Sequence, residues 1–287
     1  MAVADSLGPA ARGRRLEQVG ALRESRATDD LNARLQQDGY LFVRGLLDRE
    51  LVQAGRAELL DQPVLEQTYP MRSDAMKAVV HGPRILGFFT ELFGTPARSY
   101  DFIWLRHQPP SYGIAPHCDT VFMGRGTPDV LTAWIPFGDI AIRGGGLMLL
   151  EDSHRIGRER IADYLAQDVD RYCENGPNAQ AVETGEMKWE HWRDHTDWNG
   201  EITEDPHQLA ADWGTRWLTA DFRMGDALIF TLRTVHAGTD NETDALRLST
   251  DSRYQPANQP IDERWINGEH GEDPIGHGLA AKQGTIC

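Results

Sequence analysis

The chain has 287 residues, 40% of them hydrophobic and 25% charged, which is enough for one large domain with its own core. Its net charge of −15 excludes the surplus of Lys and Arg with which nucleic-acid backbones and anionic membrane surfaces are bound. No stretch approaches the roughly eighteen apolar residues of a membrane-spanning helix, and Cys118, Cys173 and Cys287 are too scattered for a disulfide framework or a zinc ribbon.

Residues 1–27 are rich in Ala, Gly and Arg and read as a lead-in. Arg14-Arg15 is not followed by an apolar run, so no export signal is expected and the reading is cytoplasmic. Thr28 and the acidic pair after it predict a helix start, with Leu31 and Leu35 one turn apart and Gly39 as its stop. "YLFVRGLL" reads as a strand, Asp48 as the cap of a second helix through Leu51 to Leu60, and "RILGFFTELFG" as a third helix ending on Gly94. From Tyr100 the texture becomes short β-prone runs: "YDFIWLRH", "DVLTAWIPF", "GLMLLED", "DALIFTLRTVHA" and "LRLSTDSRY". Turn signals at Pro109-Pro110, Gly144-Gly145-Gly146, Gly225-Asp226 and Gly238 to Asp244 separate them.

Helices before short antiparallel strands predict a mainly β, α+β fold: a double-stranded β-helix (jelly roll, cupin-like) with a flanking helical layer. One domain is expected, with the helical layer over 28–99, the jelly roll over 100–257 and a tail over 258–287. The interval of about 155–222 lacks the strand rhythm and reads as an insertion over the barrel mouth.

Within "APHCDTVF", His117 and Asp119 lie two apart, so a strand or its end would present both on one face. A ferrous centre that activates O₂ needs ligands on one face only, and two His with one carboxylate meet that need. His236, ending "GDALIFTLRTVH", is the candidate for the second imidazole. Arg247 follows it by eleven residues and shares a strand face with Ser249. A guanidinium forks onto a carboxylate, which suits the far end of 2-oxoglutarate. His195 and Asp197 repeat the His-x-Asp spacing, but "WRDHTDWNG" has no strand pattern and reads as surface.

With these residues in place, the sequence resembles the phytanoyl-CoA dioxygenase family of iron(II)/2-oxoglutarate oxygenases, including its bacterial natural-product hydroxylases. The likeness runs through "DGYLFVRGLLDRELV", "APHCD", "TAWIPF", "GGGLMLLEDSHR", "GDALIF" and "RLSTDSRYQPA", most of residues 38–257. The resemblance implies that His117, Asp119 and His236 hold Fe(II) and that Arg247, helped by Ser249, anchors the tail of 2-oxoglutarate. It also sets Trp134 against the cosubstrate. The family's polar contact from the first barrel strand has no clean match, and Arg106 is taken for it. Where the family often has Pro-Gly before Ser-His, this chain has Glu151-Asp152.

The implied reaction hydroxylates an unactivated C–H of a small secondary metabolite, with O₂ consumed and 2-oxoglutarate converted to succinate and CO₂. Desaturation or epoxidation stays open, whereas the carboxylate of Asp119 speaks against halogenation. A cupin-like metal hydrolase or isomerase, or a non-catalytic binding barrel, would share the ligands but give no reason for Arg247 and Ser249. His154 reads as a structural turn residue. Trp189, Trp192, Trp198, Trp213 and Trp217 crowd the insertion, either as its packed core or as the wall of an apolar pocket. Substrate identity and oligomeric state are open at this stage.

Overall fold

Asp30 and Gly39 delimit the first helix, α1 (Leu31–Asp38). The Ala33 N–H donates to Asp30 Oδ1, and Gly39, at φ 74°, donates its N–H to Leu35 O. The structure, a computed structural model, describes residues 19–26, 28–61, 73–111, 113–170, 180–181, 184, 186 and 200–277. Helix α2 (Arg49–Leu60) starts after Asp48, whose side chain makes no cap bond. Helix α3 (Asp74–Val80) is absent from the sequence reading, because seven residues are too few to show a period; Ser73 caps it by accepting from the Met76 N–H. Helix α4 (Pro83–Phe93) has proline in its first turn and ends on Gly94 at φ 65°. The buried faces of α2, α3 and α4 form the largest apolar cluster with Leu41, Leu131, Ala133, Ile135, Ile229 and Leu248 of the neighbouring sheet.

Eleven described strands build two sheets. They are β1 (Gly20–Ala21), β2 (Tyr40–Val43), β3 (Ala97–Ser99), β4 (Trp104–Gln108), β5 (Ile114–His117) and β6 (Leu131–Pro136). After them come β7 (Leu147–Leu150), β8 (Trp217–Thr219), β9 (Ala227–Thr231), β10 (His236–Gly238) and β11 (Arg247–Pro256). One sheet runs β1-β8-β7-β10-β5, and the other β2-β9-β6-β11-β3 with β4 also on β11. Every pairing but β1 with β8 is antiparallel. Between them lies an interior of Tyr40, Phe42, Trp134, Leu228 and Phe230 from one sheet and Leu147, Leu149 and Leu218 from the other. This is the expected jelly roll with its helical layer on one outer face.

Three details differ from the sequence reading. "DALIFTLRTVHA" is not one strand: β9 belongs to the second sheet and β10 to the first. The Thr234 N–H donates to Thr231 O, and Thr234 Oγ1 to Gly39 O, making the corner at which the chain changes sheets. β8 lies inside the interval 155–222, and its three buried residues are too short a run to show alternation. "YLFVRGLL" is extended only to Val43, since Gly45 turns the chain at φ 57°.

Helix α5 (Thr120–Met123) follows β5, and the helices described in the insertion are α6 (Ser153–Arg160), α7 (Ala162–Leu165) and α8 (Pro206–Trp213). Trp213 and Trp217 are buried there, with the Trp217 indole N–H donating to Pro206 O, so both are core. Trp189, Trp192, Trp198, His195 and Asp197 lie outside the described residues. His154 ties α6 to α1 through Gln36 O, a structural contact.

Candidate metal centre

His117 ends β5 and His236 opens β10, and the two are directly opposed across the pair. Their ring centroids are 4.1 Å apart. Each Nδ1 faces a carbonyl two residues upstream, Ala115 O at 2.8 Å and Thr234 O at 3.0 Å. That makes Nδ1 the N–H donor and leaves each Nε2 lone pair toward the barrel interior. Asp119 stands just past the strand, at helical φ −66° and ψ −21°, with Oδ1 3.8 Å from His236 Nε2. One ligand atom from each of His117, Asp119 and His236 falls within 4.8 Å of the others. Among the described residues no other three His, Cys, Asp or Glu side chains meet in this way.

Charge suits a cation here. Burial, and then His236, pushes the His117 imidazole down to about 3, and burial likewise lowers His236, so both are neutral ligands at neutral pH. Burial opposes ionisation of Asp119, but Arg253, the two imidazoles and a Thr132 hydrogen bond hold its carboxyl well below the usual range. Two neutral imidazoles and one carboxylate are a donor set for a first-row divalent ion with open positions.

On β11 the alternation sends Arg247, Ser249, Asp251 and Arg253 to one face, and all four are buried. Arg247 Nη1 donates to Ser249 Oγ at 2.6 Å, and Nη2 donates to Gln108 Oε1. Its Nε is buried without a partner, and no carboxylate of the described residues ion-pairs with it. Burial, and then Arg106, lowers this guanidinium to about 9 against the opposing pull of Asp251, so it stands as a desolvated cation without an ion pair among the described residues. Trp134 on β6 lies 6.0 Å from it. Arg106 is directed elsewhere, with Nε and Nη2 on the two oxygens of Asp251 at 2.6 and 2.9 Å. Gln108 is the β4 side chain that touches Arg247.

Four residues of this site were not singled out from sequence: Gln108, Thr132, Asp251 and Arg253. The last two carried a signal, since they continue the Arg247 and Ser249 alternation on a buried strand. A cleft of about 990 Å³ bounded by described residues lies among α1, α4, α6 and the sheet ends, and none of these side chains lines it.

A model of the phytanoyl-CoA dioxygenase family matches residues 61–249. The chain belongs to the phytanoyl-CoA dioxygenase family. It is accordingly an iron- and 2-oxoglutarate-dependent non-haem oxygenase. Among relatives of this dioxygenase, the 1-deoxypentalenic acid 11-beta-hydroxylase of Streptomyces arenae is 24% identical over 253 residues, covering 77% of this chain and 78% of its own. The Streptomyces exfoliatus enzyme of the same name is 26% identical over 254 residues, with the same coverage. Of the solved structures, the epimerase SnoN in complex with Fe3+, alpha ketoglutarate and nogalamycin RO superposes with a TM-score of 0.58. It is 24% identical and spans 86% of this dioxygenase and 93% of its own chain. The carbocyclase SnoK of nogalamycin biosynthesis also gives 0.58, at 18% identity over 92% and 94% of the two chains. At these identities the likeness to the solved structures is one of fold.

Proposed function

We propose that His117, Asp119 and His236 hold the iron, and that Arg247, with Ser249 and Gln108, receives the distal carboxylate of 2-oxoglutarate. Trp134 walls the cosubstrate on the β6 side. The observation that carries the reading is Arg247: a buried guanidinium that makes no ion pair among the described residues, on the inward face of the barrel that also presents the His-Asp-His group. A desolvated cation is costly, and a cosubstrate carboxylate offsets that cost.

Bound at this site, iron(II) with 2-oxoglutarate and O₂ supplies an oxidant able to attack an unactivated C–H bond. The chain's own residues orient and exclude water. The Ala115 and Thr234 carbonyls fix the tautomers of the two imidazoles. Phe222, packed edge-on to Trp134 at 4.7 Å, and Phe230, 4.6 Å from His236, keep the interior dry. The substrate is a small natural product undergoing hydroxylation, by analogy with hydroxylases that act on 1-deoxypentalenic acid. We take residues 1–287 as a single dioxygenase domain with a lid insertion over about 155–222, working in the cytoplasm as part of secondary metabolism. No described helix is long and apolar enough to cross a membrane.

The test is the 2-oxoglutarate dependence of succinate formation in Arg247→Ala, with iron quantified in parallel. Removing one partner of a buried charge pair costs about 2–5 kcal/mol, or roughly 30-fold to several thousand-fold in cosubstrate affinity. Arg247→Lys recovers part of it, because an ammonium lacks the fork. Iron content stays at the wild-type level in both. Unchanged cosubstrate dependence in a folded, iron-loaded Arg247→Ala protein refutes the assignment.

A further inference from the structure

The two oxygens of the Asp119 carboxylate meet different neighbours. Oδ2 accepts from Thr132 Oγ1 at 2.5 Å and from Arg253 Nη2 at 3.0 Å. Oδ1 receives neither donor and is the oxygen that faces His236 Nε2. The two donors are a directly opposed cross-strand pair, Arg253 on β11 against Thr132 on β6. One register therefore delivers both to the same oxygen.

Arg253 is itself held from two sides. Its Nη1 lies 2.6 Å from Asp251 Oδ2, and its guanidinium sits 4.3 Å over the Trp104 ring. Asp251 in turn takes both prongs of Arg106. Charge alternates in sign along Asp119, Arg253, Asp251 and Arg106, and only Arg106 reaches the outside, with 40% of its side chain exposed.

We propose that Arg253 and Thr132 are positioning residues for the metal: by occupying Oδ2 they make Asp119 a one-oxygen ligand through Oδ1. Asp251 and Arg106 keep Arg253 in place. The inference rests on the iron assignment above. Its chemical consequence is a coordination count. Of the six positions an iron ion would offer, His117, Asp119 and His236 would take three, leaving three for 2-oxoglutarate and O₂. A carboxylate that swung to chelate through both oxygens would take a position that the cosubstrate or O₂ needs. Two donors fixed on Oδ2 oppose that swing.

A network that merely joined β4, β6 and β11 would affect stability and leave the metal alone. The deciding experiment titrates the metal-free full chain with Co(II), reading affinity and the visible absorption spectrum, with thermal denaturation in parallel. Thr132→Val and Arg253→Met are expected to bind Co(II) about 10–100-fold more weakly, the usual range for losing an outer hydrogen-bond partner of a ligand, and with an altered spectrum. Thr132→Ser keeps wild-type values, and Arg253→Lys is intermediate. Thr132→Val replaces only the hydroxyl with a methyl of similar size, so it carries the test if Arg253→Met does not fold. Wild-type affinity and spectrum in folded Thr132→Val overturn the inference. Asp119→Ala separates the two failures. If it retains the Co(II) spectrum, the metal assignment itself is wrong; if it loses the spectrum while Thr132→Val keeps it, only the positioning role is lost.

Discussion

At the scale of single residues, the imidazoles divide by what surrounds them. His117 and His236 face each other across a strand pair with their Nδ1 atoms engaged, whereas His195 sits in a segment with no strand pattern. His117→Ala or His236→Ala should therefore abolish turnover and iron binding, and His195→Ala should do neither. Equal iron loss in all three, measured by metal analysis, would show that the wrong His-x-Asp was chosen. Asp152 makes a separate point. It replaces the glycine common in the family and holds φ 60°, a left-handed conformation costly for most side chains and tolerated by aspartate. Asp152→Gly is expected to stabilise the fold by up to about 1 kcal/mol, raising Tm by about 2 °C. A drop in Tm would mean that the exposed Arg155 partner of Asp152 matters more than the backbone.

At the scale of elements, the described part of the insertion grips the segment that carries His117 and Asp119. The Cys118 N–H donates to Tyr164 Oη at 2.9 Å, and Tyr164 Oη donates to Gly200 O at 2.8 Å. The Ile202 N–H reaches Pro116 O, and the Val169 N–H reaches Val121 O. The backbone carrying His117 and Asp119 is thus pinned by α7 and by the parts of the insertion around Val169 and Gly200 to Ile202. Tyr164→Phe leaves the Cys118 N–H unsatisfied, at a cost of about 1–3 kcal/mol, and should weaken iron binding along with stability. Chemical denaturation of the apoprotein, with iron titration, checks this; unchanged stability would mean that another group takes the N–H. None of these contacts was legible in sequence. Tyr164 sits in a helix of four residues, forty-six positions from its partner, and no local pattern links the two.

At the scale of the whole molecule, the site makes the metal-free protein sensitive to acid. His117 is held in its neutral form down to about 3, while an unfolded histidine protonates near 6.5. Below that value the unfolded state binds more protons than the folded one, so stability falls as pH drops from about 6.5 toward 3. His236 adds in the same direction. Asp119 and Asp170, whose carboxyls are held low, lose their contribution further down, as pH falls through their folded values. The Tm of the apoprotein should decline steadily between pH 7 and 4, and less steeply in His117→Asn. A flat profile over that range would contradict the buried neutral imidazole.

The alternation of "RLSTDSRY", the His-x-Asp pair and the eleven-residue interval from His236 to Arg247 are local facts, and side-chain period two makes them readable without a structure. From them come the residue types proposed for the centre, while the jelly roll follows from the rhythm of short strands and the family from a resemblance along most of residues 38–257. Three things depended on contacts between distant strands. One is the break of the run ending at His236 into strands of opposite sheets, because hydrophobic period does not mark a corner. Another is the exchange at β4, where Arg106 goes to Asp251 and Gln108 to Arg247. The third is the pairing of Arg253 with Thr132 over Asp119, which only register between β6 and β11 decides. Period and spacing are properties of one strand; a hydrogen-bond partner belongs to two, and only the folded chain brings the second one near.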